Sequence, residues 1–225
     1  MLTKLIKHEF KASVRLLLPI YAVVAVLALI CRLVQKADIF KGMLVIVPGT
    51  ISVVYIISLF ASIIITLILT ITRFYKNLTS DEGYLMFTLP VKASALINSK
   101  LFVAVCWVLL NLALIVASFY FTFPDRASEI TDGLLYGLKM EFGSGSPVIV
   151  AEVAAIMLIS LIHTIMHFYT SIAIGQLFNR SKLLYSAVAY IGIYFCIQLM
   201  ATITLLIISF FNNNFLFTKT SVPRI

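Results

Sequence analysis

The sequence predicts an all-α fold, a polytopic transmembrane helical bundle, and three observations lead there. Hydrophobic residues make up 62% of the 225 and charged residues only 12%. With a mean hydropathy of +1.09, the chain holds more apolar surface than one soluble domain of this size can cover. Five apolar runs, at 16–34, 44–72, 101–123, 148–174 and 183–211, reach the length of about 20 residues that a bilayer crossing requires. Most of the Lys and Arg residues fall in the connectors between these runs.

Residues 1–15 form the first element, set apart from a transmembrane domain at 16–225. Leu2, Leu5, Ile6, Phe10 and Val14 share one face of a helix, and Lys4, Lys7, His8, Lys11 and Arg15 share the other. Such a helix is expected to lie amphipathically in the headgroup plane. Glu9 and Ser13 interrupt its apolar arc, so that face is expected to touch protein as well. The run at 16–34 is too long for a signal-peptide core and no A-x-A site follows, so it is expected to be retained. The spans at 44–72, 148–174 and 183–211 exceed the minimum crossing length and are expected to tilt or to extend into water.

Orientation follows from the positive-inside rule. With a cytoplasmic N-terminus the inner side receives Lys4, Lys7, Lys11, Arg15, Arg73, Lys76, Lys92, Lys100, Arg180 and Lys182. The outer side receives Arg32, Lys36, Lys41, Arg126, Lys139, Lys219 and Arg224, which gives ten against seven. Asp125, Glu129, Asp132 and Glu141, which outnumber the two basic residues of the connector at 124–147, reinforce its outer placement, and five spans are expected to put the C-terminus there too. A multi-pass protein of the plasma membrane is the expectation. The net charge of +8 suits anionic lipid headgroups, and no nucleic acid partner is expected. Cys31, Cys106 and Cys196 sit in separate apolar runs without metal or disulfide spacing.

The cytoplasmic connector at 73–100 departs from an ordinary loop. Asp81, Glu82 and Gly83 precede five bulky residues, Tyr84, Leu85, Met86, Phe87 and Leu89, and Pro90 ends the cluster. Polar residues followed by a short apolar group describe a helical segment with an exposed hydrophobic patch, which in water marks a partner site. The alternative is that the cluster folds back against the membrane interface.

This stretch, 81–91 with Ser99 and Lys100, and the start at 5–11 with Arg15 and Pro19, resemble the membrane subunits of ABC-2 type ABC transporters, specifically the small permeases of Gram-positive bacteria. The order of spans and connectors is similar over nearly the whole chain. The resemblance implies a permease whose first cytoplasmic connector is a coupling helix seated on a separate ATP-binding subunit, with ATP and Mg on that subunit and no cofactor here. Tyr75, Asn77, Asp81, Glu82, Tyr84, Leu85, Phe87 and Leu89 would make that contact. It further implies a homo- or heterodimer of permease subunits, with the second and fifth spans nearest the pathway. The family normally has six spans, and the segment after Phe211 is too short and polar for a sixth.

Polar residues inside the spans form two stripes. Ser58, Ser62, Thr66 and Thr70 recur every four residues on the second span, and Tyr190, Tyr194, Gln198 and Thr202 do so on the fifth. Close helix packing and the lining of a pathway or dimer contact both explain such spacing. The fourth span carries Glu152, His163 and His167 near one face. His163 and His167 lack the Glu of the zinc-protease pattern H-E-x-x-H, so hydrogen bonding within the bundle is expected and no metal site. No P-loop pattern G-x-x-x-x-G-K-[ST] occurs, so this chain is not expected to hydrolyse ATP. Three readings follow: a permease subunit exporting a solute; a non-transporting membrane partner such as a sensor, assembly or immunity subunit; and a membrane metalloenzyme using His163 and His167.

Overall fold

Hydrocarbon offers a peptide group no hydrogen-bonding partner, so an apolar run that crosses it must satisfy its backbone locally, and the α-helix does this along its whole length. The computed structural model describes residues 2–37, 46–79, 93–142, 146–178 and 181–211, and among them every regular element is helical. In chain order these are α1 (Leu2–Lys36), α2 (Ile46–Thr79), α3 (Ala93–Thr122), α4 (Pro124–Phe142), α5 (Ser146–Gly175) and α6 (Lys182–Phe211). Five of the six, all except α4, are long and apolar enough to cross a membrane. At 35 and 34 residues, α1 and α2 extend over roughly 50 Å against a hydrocarbon core of about 30 Å, so each carries turns beyond the apolar layer.

The predicted amphipathic segment and the first span form one continuous helix, α1, with Pro19 inside it. Proline removes one helical hydrogen bond, a loss that neighbouring helices accommodate in membrane proteins. Residues 124–147, read from sequence as a connector, contain the 19-residue helix α4. Its signals are Pro124 at the first turn, where a missing N–H costs nothing, Asp125 beside it, and Ala127, Thr131, Leu135 and Leu138 turned inward on one face.

Two compact units divide the chain, Met1–Met166 and His167–Ile225. In the first, α1 lies against both α3 and α2, and its contact with α3 is the more extensive. One apolar cluster joins Val24, Ala28 and Cys31 of α1 to Tyr55 and Leu59 of α2. A second joins Leu17 of α1 to Val103 and Trp107 of α3, with Ile6, Phe10 and Val14 packed onto it. The apolar arc of the N-terminal segment thus rests on protein: Phe10 stacks on Trp107 with ring centroids 4.7 Å apart.

In the second unit, the end of α5 and the start of α6 form a close hairpin. Ser181, at φ 50°, turns the chain into α6. Gly175 lies so near α6 that a Cβ there would meet the Ser186 backbone nitrogen at 2.7 Å and the Lys182 carbonyl oxygen at 2.8 Å. Neither backbone atom can yield without moving the helix. Replacing Gly175 by Ala is therefore expected to destabilise this hairpin by about 1–3 kcal/mol. Gly192→Ala, where a Cβ meets nothing within 4 Å, is expected to be neutral or slightly stabilising. Thermal unfolding of the two variants in the same detergent checks the contrast.

Candidate functional site

Three charged side chains from three helices meet at one end of the first unit. Glu9 of α1 receives the Lys100 ammonium of α3 on Oε1 at 2.5 Å and the Arg73 guanidinium of α2 on Oε2 at 3.0 Å. The side chains are only 13%, 7% and 24% exposed for Glu9, Lys100 and Arg73. Charges so far from water are tolerable when they are paired and hydrogen-bonded. Arg73 completes the arrangement by donating through Nη1 to the Glu9 carbonyl oxygen at 3.3 Å and to Ser13 Oγ, while Ser13 Oγ donates to that same carbonyl at 2.9 Å. The connector read from sequence at 73–100 is helical at both ends: Arg73 lies six residues before the end of α2 and Lys100 seven after the start of α3, so a single carboxylate ties the last turns of α2 and the first turns of α3 to α1.

Halfway along the same three helices lies a second polar layer. Asn111 of α3, 2% exposed, donates through Nδ2 to Ser62 Oγ at 3.3 Å and Thr66 Oγ1 at 3.2 Å. Thr66 Oγ1 donates to the Ser62 carbonyl oxygen at 2.7 Å. Tyr21 Oη of α1 lies 3.3 Å from Thr66 Oγ1 and donates to the Trp107 carbonyl oxygen at 3.2 Å. Further on, Tyr55 Oη donates to Ser118 Oγ at 2.9 Å and Gln35 Nε2 to Ser52 Oγ at 3.4 Å. Arg32 Nη1 ends the series on the Thr122 carbonyl oxygen at 3.3 Å, where the C-terminal end of α3 attracts a cation.

The residues singled out from sequence separate accordingly. Ser62 and Thr66 are buried in the polar layer, whereas Ser58 and Thr70 are half-buried and donate to the Tyr55 and Thr66 carbonyl oxygens of their own helix. Tyr190 is half-buried and stacked on His167 and Phe168, with centroids 4.3 and 4.8 Å apart. Tyr194, Gln198 and Thr202 are exposed on α6, and Thr202 Oγ1 donates to the Gln198 carbonyl oxygen. His167 is buried with Nε2 3.2 Å from the Tyr190 carbonyl oxygen, a donor when that nitrogen carries the proton. Glu152 and His163 are exposed on α5. Tyr75 is half-buried near the end of α2, and Asn77 belongs to its last turn. Asp81, Glu82, Tyr84, Leu85, Phe87 and Leu89 lie outside the described residues.

Sequence reasoning counted Arg73 and Lys100 as topology charges and did not single out Asn111 or Tyr21. The available signal was Glu9, a carboxylate on the apolar arc of a basic helix, which must find a cation from elsewhere in the chain.

The fold and these layers define the class of the molecule, a multi-pass helical membrane protein. No protein-family model, curated protein or solved structure matches the chain.

Exchanging Glu9 for Gln leaves Arg73 and Lys100 without the charge that joins them, and the expected cost is about 2–3 kcal/mol, reduced for the partial exposure of Arg73. Adding Lys100→Met is expected to recover part of it, measured by double-mutant comparison of unfolding in detergent. Asn111→Ala is expected to cost about 1 kcal/mol, in line with interhelical hydrogen bonds in bilayers.

Proposed function

We propose that this chain is the membrane permease subunit of an ABC-2 type exporter, seated in the plasma membrane with its N-terminus in the cytoplasm. Its connector at 73–100 docks on a separate ATP-binding subunit that holds ATP and Mg, and two permease subunits pair as a homo- or heterodimer. The observation that carries the reading is the Glu9 contact with Arg73 and Lys100.

A connector that transmits force needs ends that do not yield independently. Here the last turns of α2 and the first turns of α3 are tied to α1 through one carboxylate, so a push on the connector reaches all three helices together. The stacking of Phe10 on Trp107 extends that linkage from the charged end into the apolar layer. Ser62, Thr66, Asn111 and Tyr21 then hold the three helices in register at mid-depth. The resemblance of residues 81–91 to a coupling segment supplies the partner surface, with Tyr84, Leu85 and Phe87 as its apolar contacts.

Purification of the tagged chain from its native membranes is the test. An ATP-binding protein is expected to remain with the wild type and to be lost when Tyr84, Leu85 and Phe87 are together replaced by Ala. Recovery of no such protein with the wild type, or its retention by the triple variant, defeats the proposal.

A further inference from the structure

The seam between α1 and α3 is hollowed on its outer side into a groove of about 550 Å³, a size within the range of sites for small molecules. From α1 it takes Tyr21, Ala25 and Ala28, at i, i+4 and i+7, and from α3 Trp107, Ala113 and Ala117. The hollow has a simple cause: both helices place alanine where their neighbours carry leucine, isoleucine or valine. Ala25, Ala113 and Ala117 are exposed, so the floor of the groove is open to its surroundings.

The walls identify the chemistry of an occupant. Tyr21 Oη is engaged with Thr66 and with the Trp107 carbonyl, and Ser118 Oγ donates to the Ile115 carbonyl while accepting from Tyr55. The Trp107 indole N–H is fully buried and has no acceptor among the described residues, and nothing in the groove reaches it. An occupant is therefore offered apolar surface and no free hydrogen bond, which favours hydrocarbon over any polar solute.

Position and dimensions agree. The lining residues lie inside the apolar stretches of two membrane-spanning helices. Leu110 and Phe121 on the wall are 46% and 50% exposed and continue into the exposed apolar surface of α3 at Leu112 and Val116. The groove thus merges with the surface that meets lipid. From Trp107 to Phe121 it follows α3 for roughly 21 Å, somewhat more than one leaflet's half of a hydrocarbon core about 30 Å thick.

We propose that this groove is a binding site for a single hydrocarbon chain of a membrane lipid, held lengthwise between α1 and α3. Trp107, the one tryptophan of the chain, forms part of its wall and reports occupancy directly. The full-length protein is reconstituted in phosphatidylcholine vesicles with brominated or unbrominated acyl chains, and Trp107 fluorescence is compared. Strong quenching is expected in the wild type and loss of most of it in Ala25→Leu/Ala117→Leu, whose added side chains fill the groove. Equal quenching in the two proteins means ordinary contact with bulk lipid and overturns the proposal. Absence of quenching in the wild type overturns it too, as when a helix of a second copy fills the groove. If circular dichroism shows the double variant to have lost helix, bromines at successive chain carbons decide with the wild type alone. A sharp maximum at one carbon supports a held chain, and a profile matching that of a free indole at the same depth overturns it.

Discussion

One carboxylate organises the charged end of this molecule. Glu9 stands on the face of α1 that packs against protein, where an unpaired charge is untenable, and it meets Lys100 and Arg73 from two other helices. Because those two residues bracket the connector at 73–100, the pairing does more than neutralise charge. It ties the last turns of α2 and the first turns of α3 to α1. The contact stands where three helices of the first unit pack on one another, α1 against α3 and α2, and α2 against α3.

Away from the charged end the three helices are joined by alternating polar and apolar contacts. Phe10, Leu17, Val103 and Trp107 form an apolar layer, followed by Tyr21, Thr66 and Asn111, and then by Val24, Ala28, Tyr55 and Leu59. Alternation of this kind suits a bilayer. Lipid tails are as apolar as leucine, so apolar burial alone gives helices little preference for one another over lipid, and close packing with directed hydrogen bonds must provide it. Hydroxyl groups that bond to their own helix, as Ser62, Thr66 and Thr70 do, remain satisfied while allowing neighbours to approach. The α1–α3 groove arises where alanine leaves the outer edge of the seam unfilled.

The second unit is held by different means. Gly175 allows the α5–α6 crossing at backbone contact distance, and Tyr190 covers His167 and Phe168 by stacking. Beyond this hairpin α6 presents Ile191, Phe195 and Met200 outward, each more than 60% exposed. That surface is the expected one for a helix in contact with hydrocarbon, and it leaves Tyr194, Gln198 and Thr202 at the periphery of the unit.

The sequence by itself determined the class and the spans. Five apolar runs became five helices because a single segment satisfies its own backbone in hydrocarbon only as a helix, and α1 and α3 at their starts and α2 at its end run well beyond the apolar runs. It also flagged Glu9 and Ser13 as faults in an apolar arc, and Ser62 and Thr66 as part of a contact stripe. The helix α4 was hidden because its acidic residues read as an exposed connector, whereas its inward stripe of Ala127, Thr131, Leu135 and Leu138 is narrow. Tertiary structure alone decided that Glu9 meets Arg73 and Lys100, that Asn111 reaches Ser62 and Thr66, and that Trp107 lies between Phe10 and Tyr21. Helical periodicity shows which residues share a face, but the partner of that face depends on how separate helices pack, and here those partners are 45 to 97 positions away in the chain.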